Sequence, residues 1–276
     1  MRILLTGANG YVGKRLLPEL LNLNHDIVCC VRDQNRLGLD EATRAKISIW
    51  EVDFLDEPTF ENLPQHIDVA YYLIHSMRSS TDNFDKLEAQ SAQNFNAYMN
   101  AIGVKQVIYL SGIVNDTDLS KHLQSRSNVE EILYKGRFNL TVLRAGIIVG
   151  SGSSSFEIIR DLCEKLPLMI TPKWVLTKTQ PIAIRDVMQF LIGVALREEC
   201  YNDSFDIGGK DILTYKQMLQ GYAKTRGIKL WIVTVPVMTP KLSSYWLYFV
   251  TSTSYKLAMN LVDSMKIEVI AKDQRL

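Results

Sequence analysis

Near the start of the chain stands Thr6-Gly7-Ala8-Asn9-Gly10-Tyr11-Val12-Gly13, and what flanks it decides how the rest is read. Ahead of it, Arg2–Thr6 holds the apolar run Ile3-Leu4-Leu5; behind it, Lys14–Leu23 repeats leucine at three- and four-residue intervals. A strand therefore passes through a glycine turn into a helix. Glycines at this spacing play separate parts. Gly7 permits the tight turn, Gly10 lets backbone approach a pyrophosphate, and Gly13 lets helix and strand pack closely. The helix N-terminus then offers unsatisfied N–H groups and the positive end of its dipole to an anion. With Asn9, Tyr11 and Val12 between them, these glycines form a candidate dinucleotide-binding turn. The alternative is a turn of purely structural value.

Working outward, short apolar runs alternate with longer amphipathic stretches. Candidate strands are Arg2–Thr6, Asp26–Arg32, Ile47–Val52, Val69–Ile74, Gln106–Ser111 and Thr141–Ala145, with helices over Lys14–Leu23, Asp82–Ile102 and Ser127–Tyr134. Strands such as Val107–Leu110 are apolar throughout, as parallel strands buried on both faces are. The expected fold class is α/β, a Rossmann-type doubly wound parallel sheet over residues 1–150. Residues 151–276 are expected to add a small C-terminal substrate or lid subdomain, interleaved with the last sheet strand. There the pattern predicts helices over Phe156–Leu166 and Arg185–Leu196, a strand over Ser204–Ile207 before Gly208-Gly209, and a helix that Thr214 caps and Gly227 stops. The aromatic stretch Ser243–Met259 reads either as the core of that lid or as an amphipathic surface for a protein or membrane face.

Composition narrows the function classes. With 31 basic and 30 acidic residues the net charge is +1, which leaves no global field to attract nucleic acid. The four cysteines, Cys29, Cys30, Cys163 and Cys200, form no CxxC pair and no zinc-type cluster, so reduced thiols and no metal site are expected. No signal peptide and no run of about 20 apolar residues is present, and a cytoplasmic location without a transmembrane segment follows as an expectation.

The spacing GxxGxxG resembles the extended and atypical branches of the short-chain dehydrogenase/reductase superfamily. Longer runs sharpen the resemblance: Ala70-Tyr71-Tyr72-Leu73-Ile74-His75-Ser76-Met77, Leu123-Gln124-Ser125-Arg126, Leu143-Arg144-Ala145-Gly146-Ile147-Ile148-Val149-Gly150-Ser151-Gly152-Ser153 and Gln180-Pro181-Ile182-Ala183-Ile184-Arg185-Asp186-Val187. They look like a bacterial group of NmrA-like NAD(P)H-binding proteins, or predicted nucleoside-diphosphate-sugar epimerases, similar also to the nucleotide-binding accessory subunit of respiratory complex I. Several such proteins continue into a further C-terminal domain.

The resemblance implies site residues. The position that closes the second strand, acidic in NAD-preferring members, is here Val31, followed by Arg32, and a guanidinium suits a 2′-phosphate. NADP(H) is therefore expected over NAD(H), although a shift of two residues would bring in Asp33. Asp53 and Phe54 fall where the superfamily meets the adenine, or else Asp53 caps a helix. Leu73 and His75 fall beside the cofactor ribose, His75 being alternatively a structural histidine. The Tyr-xxx-Lys pair of this superfamily is missing: none of the 12 tyrosines has a lysine four residues later. Ser111 takes the place of the substrate-orienting hydroxyl, and His122 and Arg126, one helical turn apart, stand in the window of the missing pair. Histidine could move a proton near neutrality while arginine holds hydroxyls or a carboxylate; solvated or capping roles are the alternative. Arg144, Arg160 and Arg185 would meet an anionic substrate, or pair with Asp161 or Asp186.

Two functions follow. One is an NADP(H)-dependent oxidoreductase or epimerase-like enzyme acting on a small or nucleotide-linked substrate. The other is a non-catalytic NADP(H)-binding sensor or assembly factor.

Overall fold

The computed structural model describes residues 1–74, 84–114, 121–235, 265–273 and 275–276. Strand β1 (Arg2–Thr6) leads through the glycine turn into α1 (Gly13–Asn22), followed by β2 (Asp26–Val31), the short α2 (Glu41–Arg44) and β3 (Ile47–Glu51). The chain then crosses to the other side of β1 and builds β4 (Val69–Tyr72), α3 (Phe84–Ile102), β5 (Gln106–Gly112), α4 (Lys121–Leu133) and β6 (Asn139–Ala145). After these come β7 (Ile148–Val149), α5 (Ser154–Lys165), β8 (Leu168–Thr171), β9 (Lys178–Thr179), β10 (Ile182–Ala183), α6 (Ile184–Gly193), β11 (Asp203–Ile207), β12 (Leu213–Thr214), α7 (Tyr215–Arg226) and β13 (Trp231–Thr234).

Seven strands make one parallel sheet in the order β3-β2-β1-β4-β5-β6-β11. This is a Rossmann-like doubly wound α/β sheet. Its strands are apolar because both faces are covered, and successive residues serve opposite cores. Ile3 and Leu5 join Leu16, Leu17 and Leu20 of α1 and Val187 and Leu191 of α6 on one face. Leu4, Tyr72 and Tyr109 join Phe95 and Met99 of α3 and Ile132 and Leu133 of α4 on the other. A third cluster, Ile158, Leu162, Met169, Met218 and Leu219, lies between α5, α7 and β8. The main sheet takes its last strand, β11, and one covering helix, α6, from beyond residue 150.

Most predicted elements appear within two residues of their expected ends, and the departures have local causes. Strand β4 stops at Tyr72, short of Ile74, because the Leu73 N–H turns to the Thr6 hydroxyl, at 2.9 Å. Helix α4 begins at Lys121, six residues before the expected Ser127, because its first turns are too polar to show periodicity. The cap of α7 forms as read: Thr214 and Gln217 make a reciprocal capping box, and Gly227 ends the helix at φ +68°. Short strands β7, β9, β10 and β12, of two residues each, carry no readable period.

Buried polar groups stitch sheet to helices. Gln106, fully buried, donates to the Thr141 hydroxyl (2.8 Å) and the Val194 carbonyl (3.0 Å) and accepts from the Leu196 N–H (2.6 Å). At the sheet's lower rim Asp68 accepts from the Arg2 N–H at 2.9 Å and from Lys105 Nζ at 2.8 Å, joining β1, β4 and β5. The Lys105 hydrogen bond, with the Arg2 N–H, holds the Asp68 carboxyl below its usual value. A depressed carboxylate stabilises the fold above its unfolded-state pKa and ceases to do so as pH falls through the folded value. Asp68→Asn should therefore lower the urea midpoint at neutral pH, and its gap to the wild type should close as pH drops well below about 4. A gap that is constant with pH would contradict this.

Candidate functional site

The strand order reverses at β1, and doubly wound sheets bind ligands in the crevice that opens at the carboxyl ends there. Thr6, the last residue of β1, builds the crevice wall. Its hydroxyl donates to the Tyr71 carbonyl at 2.8 Å and accepts from the Leu73 N–H, so the exit of β4 is drawn against the glycine turn. Gly7 lies at φ +62°, and a Cβ there would sit 2.7 Å from the Leu73 carbonyl oxygen. Gly10 closes the turn with its N–H on the Gly7 carbonyl at 2.8 Å. At Gly13 a Cβ would come within 2.2 Å of the Gly7 carbonyl oxygen and 2.8 Å of Ala8 Cα, so α1 rests directly on the turn.

In the first turn of α1 the Lys14 N–H donates to the Gly10 carbonyl (3.0 Å) and the Arg15 and Leu16 N–H groups to the Val12 carbonyl (3.0 and 2.9 Å), and no acidic residue occupies that turn. Bare backbone and a positive dipole end together fit a pyrophosphate. Asn9 and Gly10 are exposed at the tip, while Val12 packs inward. Tyr11 turns toward the loop after β7. Arg15 stacks 4.0 Å from its ring centroid and donates to the carbonyls of Tyr11 (3.1 Å) and Ser151. A Cβ at Gly150 would lie 2.6 Å from the Tyr11 hydroxyl. Burial raises the Tyr11 pKa, against the opposing pull of Arg15.

On the β2 side, Arg32 is 67% exposed and its nearest carboxylate oxygen, on Asp53, is 4.0 Å away. Asp33 accepts from the Asn35 N–H at 3.0 Å and caps a 3-10 turn that holds Arg36 nearby. Asp53 accepts from the Leu55 N–H at 3.0 Å; this is an Asx turn, and no helix follows directly. Phe54 points away from the crevice: its ring is 5% exposed and packs edge-on against Trp50, Phe95 and Tyr98. Only its backbone faces the loop, where Asn94 donates to its carbonyl at 2.8 Å.

On the β5 side, Ser111 is buried, and its Oγ makes no hydrogen bond within the described residues, although the Tyr109 hydroxyl stands near enough to feel it. Arg126 lies on α4 and donates to the Tyr109 hydroxyl at 3.2 Å. Beneath it Ser125 donates to the buried Glu88 at 2.6 Å, and Tyr72 donates to Ser91 at 3.3 Å. Burial pushes the Tyr109 hydroxyl up, with Arg126 pulling it back. The guanidinium is thus engaged in the α3, α4 and sheet interface. His122 falls in the first turn of α4, one helical turn from Arg126; its side chain, like His75 and Ser243–Met259 as a whole, lies outside the described residues.

The other arginines pair locally. Arg144 makes a double contact with buried Glu130, Arg160 meets Glu157 and Asp161, and Arg185 meets Asp186 at 3.3 Å. Gln180 enters the sequence reading only at the head of a family-like run, with no role of its own. It is buried where three segments cross, donates to the Gly209 carbonyl (2.6 Å) and accepts from the Ala271 N–H (2.9 Å). Its own carbonyl would lie 2.1 Å from a Cβ at Gly146, just past β6. Gly146 and Gly208 on either side were the available signal, since both positions exclude a side chain. Among the described residues no group of three or more His, Cys, Asp or Glu could hold a metal, and no helix is long and apolar enough to cross a membrane.

The family model for NAD(P)H-binding proteins matches residues 7–162, which run from the glycine turn into α5 and make up more than half of the chain. The chain belongs to the NAD(P)H-binding family. Among solved structures it is similar to a nucleoside-diphosphate-sugar epimerase of Staphylococcus aureus, with TM-score 0.75, 14% identity, and 96% of this chain and 90% of that one covered. It is equally similar to an NADPH-dependent quinone oxidoreductase of Escherichia coli in complex with NADPH, with TM-score 0.75, 21% identity, and 96% and 88% covered. A curated relative, the chloroplastic divinyl chlorophyllide a 8-vinyl-reductase of Cucumis sativus, is 21% identical over 222 residues, 75% of this chain. The chain spans about half of that relative's length, 52%. At these identities the solved structures attest the fold alone.

Two glycines distinguish a steric requirement from a general loss of stability. Gly13→Ala should lose NAD(P)H binding in a fluorescence titration, because the added Cβ must force α1 off the turn. Gly221→Ala, in mid-helix with nothing within 4 Å, should leave binding unchanged and raise stability by up to about 1 kcal/mol.

Proposed function

We propose that the chain is an NADP(H)-dependent oxidoreductase acting on a small or nucleotide-linked substrate. The observation that carries the cofactor preference is the arrangement after β2. Arg32 projects into solvent, its one ion-pair contact among the described residues being Asp53 at 4.0 Å, while Asp33, the acid that would have opposed a 2′-phosphate, is turned onto the Asn35 N–H. An exposed ion pair at 4.0 Å costs little to break. Arg32 can therefore leave Asp53 and grip a phosphate with its fork of donors.

The glycine turn and the α1 N-terminus would hold the pyrophosphate, and Asp53 with the Phe54 backbone would border the adenine. A bound nicotinamide supplies or accepts a hydride. The chain's own part is to orient the substrate and handle the accompanying proton. Ser111 is suited to orienting the substrate, because a buried hydroxyl with no hydrogen bond among the described residues costs the fold about 1–3 kcal/mol, which a substrate oxygen would offset. His122 is the proposed proton donor on the α4 side. The names of the similar proteins, a vinyl-reductase and a quinone oxidoreductase, lend support to reduction as the direction of the chemistry.

A second reading, a cofactor-binding sensor or assembly factor, is favoured by one observation. Arg126, in the place of the superfamily lysine, is engaged with the Tyr109 hydroxyl and the interface beneath it. The two readings part experimentally. NADPH should bind more tightly than NADH, and Arg32→Glu should weaken NADPH by about tenfold to a hundredfold while sparing NADH; equal or tighter NADH binding by the wild type would overturn the preference. NADPH oxidation should then be followed across quinones, enones, aldehydes and nucleotide sugars. Turnover that falls by about a hundredfold in Ser111→Ala, with NADPH affinity retained, supports the enzyme. Tight binding without turnover on any of these classes supports the sensor.

A further inference from the structure

Strands β8 and β13 form a two-stranded parallel ribbon whose inner face closes the third core: Met169 is fully buried there and Ile232 packs beside it. A ribbon with one wet face normally alternates apolar inside and polar outside. Here the outer face is apolar as well. Leu168 is 59% exposed, Ile170 53%, Trp231 71% and Val233 52%. The register sets Trp231 beside Leu168 and Val233 beside Ile170, so the four side chains make one continuous patch. Single exposed apolar residues need no explanation, but a contiguous group does.

Charge supplies an independent observation. Residues 165–180 and 216–235, which contain both strands, carry Lys165, Lys173, Lys178, Lys216, Lys224, Arg226 and Lys229 and not one Asp or Glu, in a chain of net charge +1. Asp161 and Glu164 of α5 meet Lys165 and Arg226. Lys173, Lys224 and Lys229 are exposed and enter no salt bridge among the described residues. Lys229 lies two residues before Trp231, at the start of β13, and Lys173 lies two residues past the end of β8. The patch is therefore apolar at its centre and cationic at both ends.

We propose that this ribbon docks the protein on an anionic lipid surface, with Trp231, Val233, Leu168 and Ile170 entering the headgroup boundary and the lysines meeting lipid phosphates. The chemistry matches interfacial binding: a tryptophan and aliphatic side chains are exposed on the ribbon, and exposed lysines flank them, a residue type whose apolar stem tolerates such a boundary while its amine reaches the phosphates. A second copy of the chain is disfavoured, because a self-complementary contact would set these cations against each other. A partner inserting a helix would need a groove. Two cavities among the described residues, one beside Phe156, Arg160 and Tyr222 and the other beside Phe190, Cys200 and Phe205, lie elsewhere.

The test is cosedimentation of the full chain with vesicles of phosphatidylcholine, with and without phosphatidylglycerol. Binding should require the anionic lipid and weaken as salt is raised. Trp231→Ser/Val233→Ser and, separately, Lys173→Gln/Lys224→Gln/Lys229→Gln should each weaken it by about tenfold or more, while NADPH affinity, which reports an intact fold, stays unchanged. Failure to bind anionic vesicles, binding that both variants retain, or a patch that instead captures an acidic protein or a second copy would each overturn the proposal.

Discussion

The structure depends on one close approach. The Thr6 hydroxyl ties the end of β1 to the exit of β4, and in the gap this leaves, the Leu73 carbonyl, the Gly7 carbonyl and the start of α1 meet with no side chain between them. Any Cβ at Gly7 or Gly13 would have to displace backbone. What the contact achieves is placement: the positive end of α1 is held at the mouth of the crevice where the strand order reverses, and the bare turn leaves room for a pyrophosphate. Through Tyr11 and Arg15 the same turn is fastened to the loop around Ser151, so the second part of the chain is oriented from the cofactor side.

The opposite side of the crevice is built differently. There Arg126 of α4 reaches the Tyr109 hydroxyl above the buried pair of Ser125 and Glu88. A permanent cation held near Glu88 and two tyrosines helps fix α3 and α4 to the sheet, since removing it would leave a buried acid without that charge beside it. Among the described residues the buried Ser111 hydroxyl has no hydrogen-bond partner at the edge of this network. A buried hydroxyl of that kind is a cost to the fold and makes sense where something else comes to bond it.

Legibility followed the physics of each signal. The parallel sheet could be read because its strands are covered on both faces, which gives uninterrupted apolar runs such as Val107–Leu110, and the glycine turn because steric exclusion admits one residue type. The α7 boundaries could be read because Thr214 and Gly227 act through their own backbone neighbours. Ribbon β8/β13 escaped notice because its outer face is as apolar as its inner one, which erases the period-two alternation. The early turns of α4 escaped because they are polar. The role of Gln180 had only Gly146 and Gly208 as a signal: its partners, Gly209 and Ala271, lie 29 and 91 residues away and meet it only when the sheet is assembled.

By itself, then, the sequence determined the strand–turn–helix unit, the doubly wound class and the family's dinucleotide site, because all three rest on interactions between residues near in the chain or on a repeated burial pattern. Tertiary structure decided which polar groups are engaged and which are left over. Asp33 is taken up by a local turn, Arg144 by Glu130, Arg126 by Tyr109, and Phe54 by the aromatic core, while Arg32 faces solvent with one distant partner among the described residues. Most of these pairings are set by packing elements that lie far apart in sequence. The chemistry available at the site is what remains after that packing is complete.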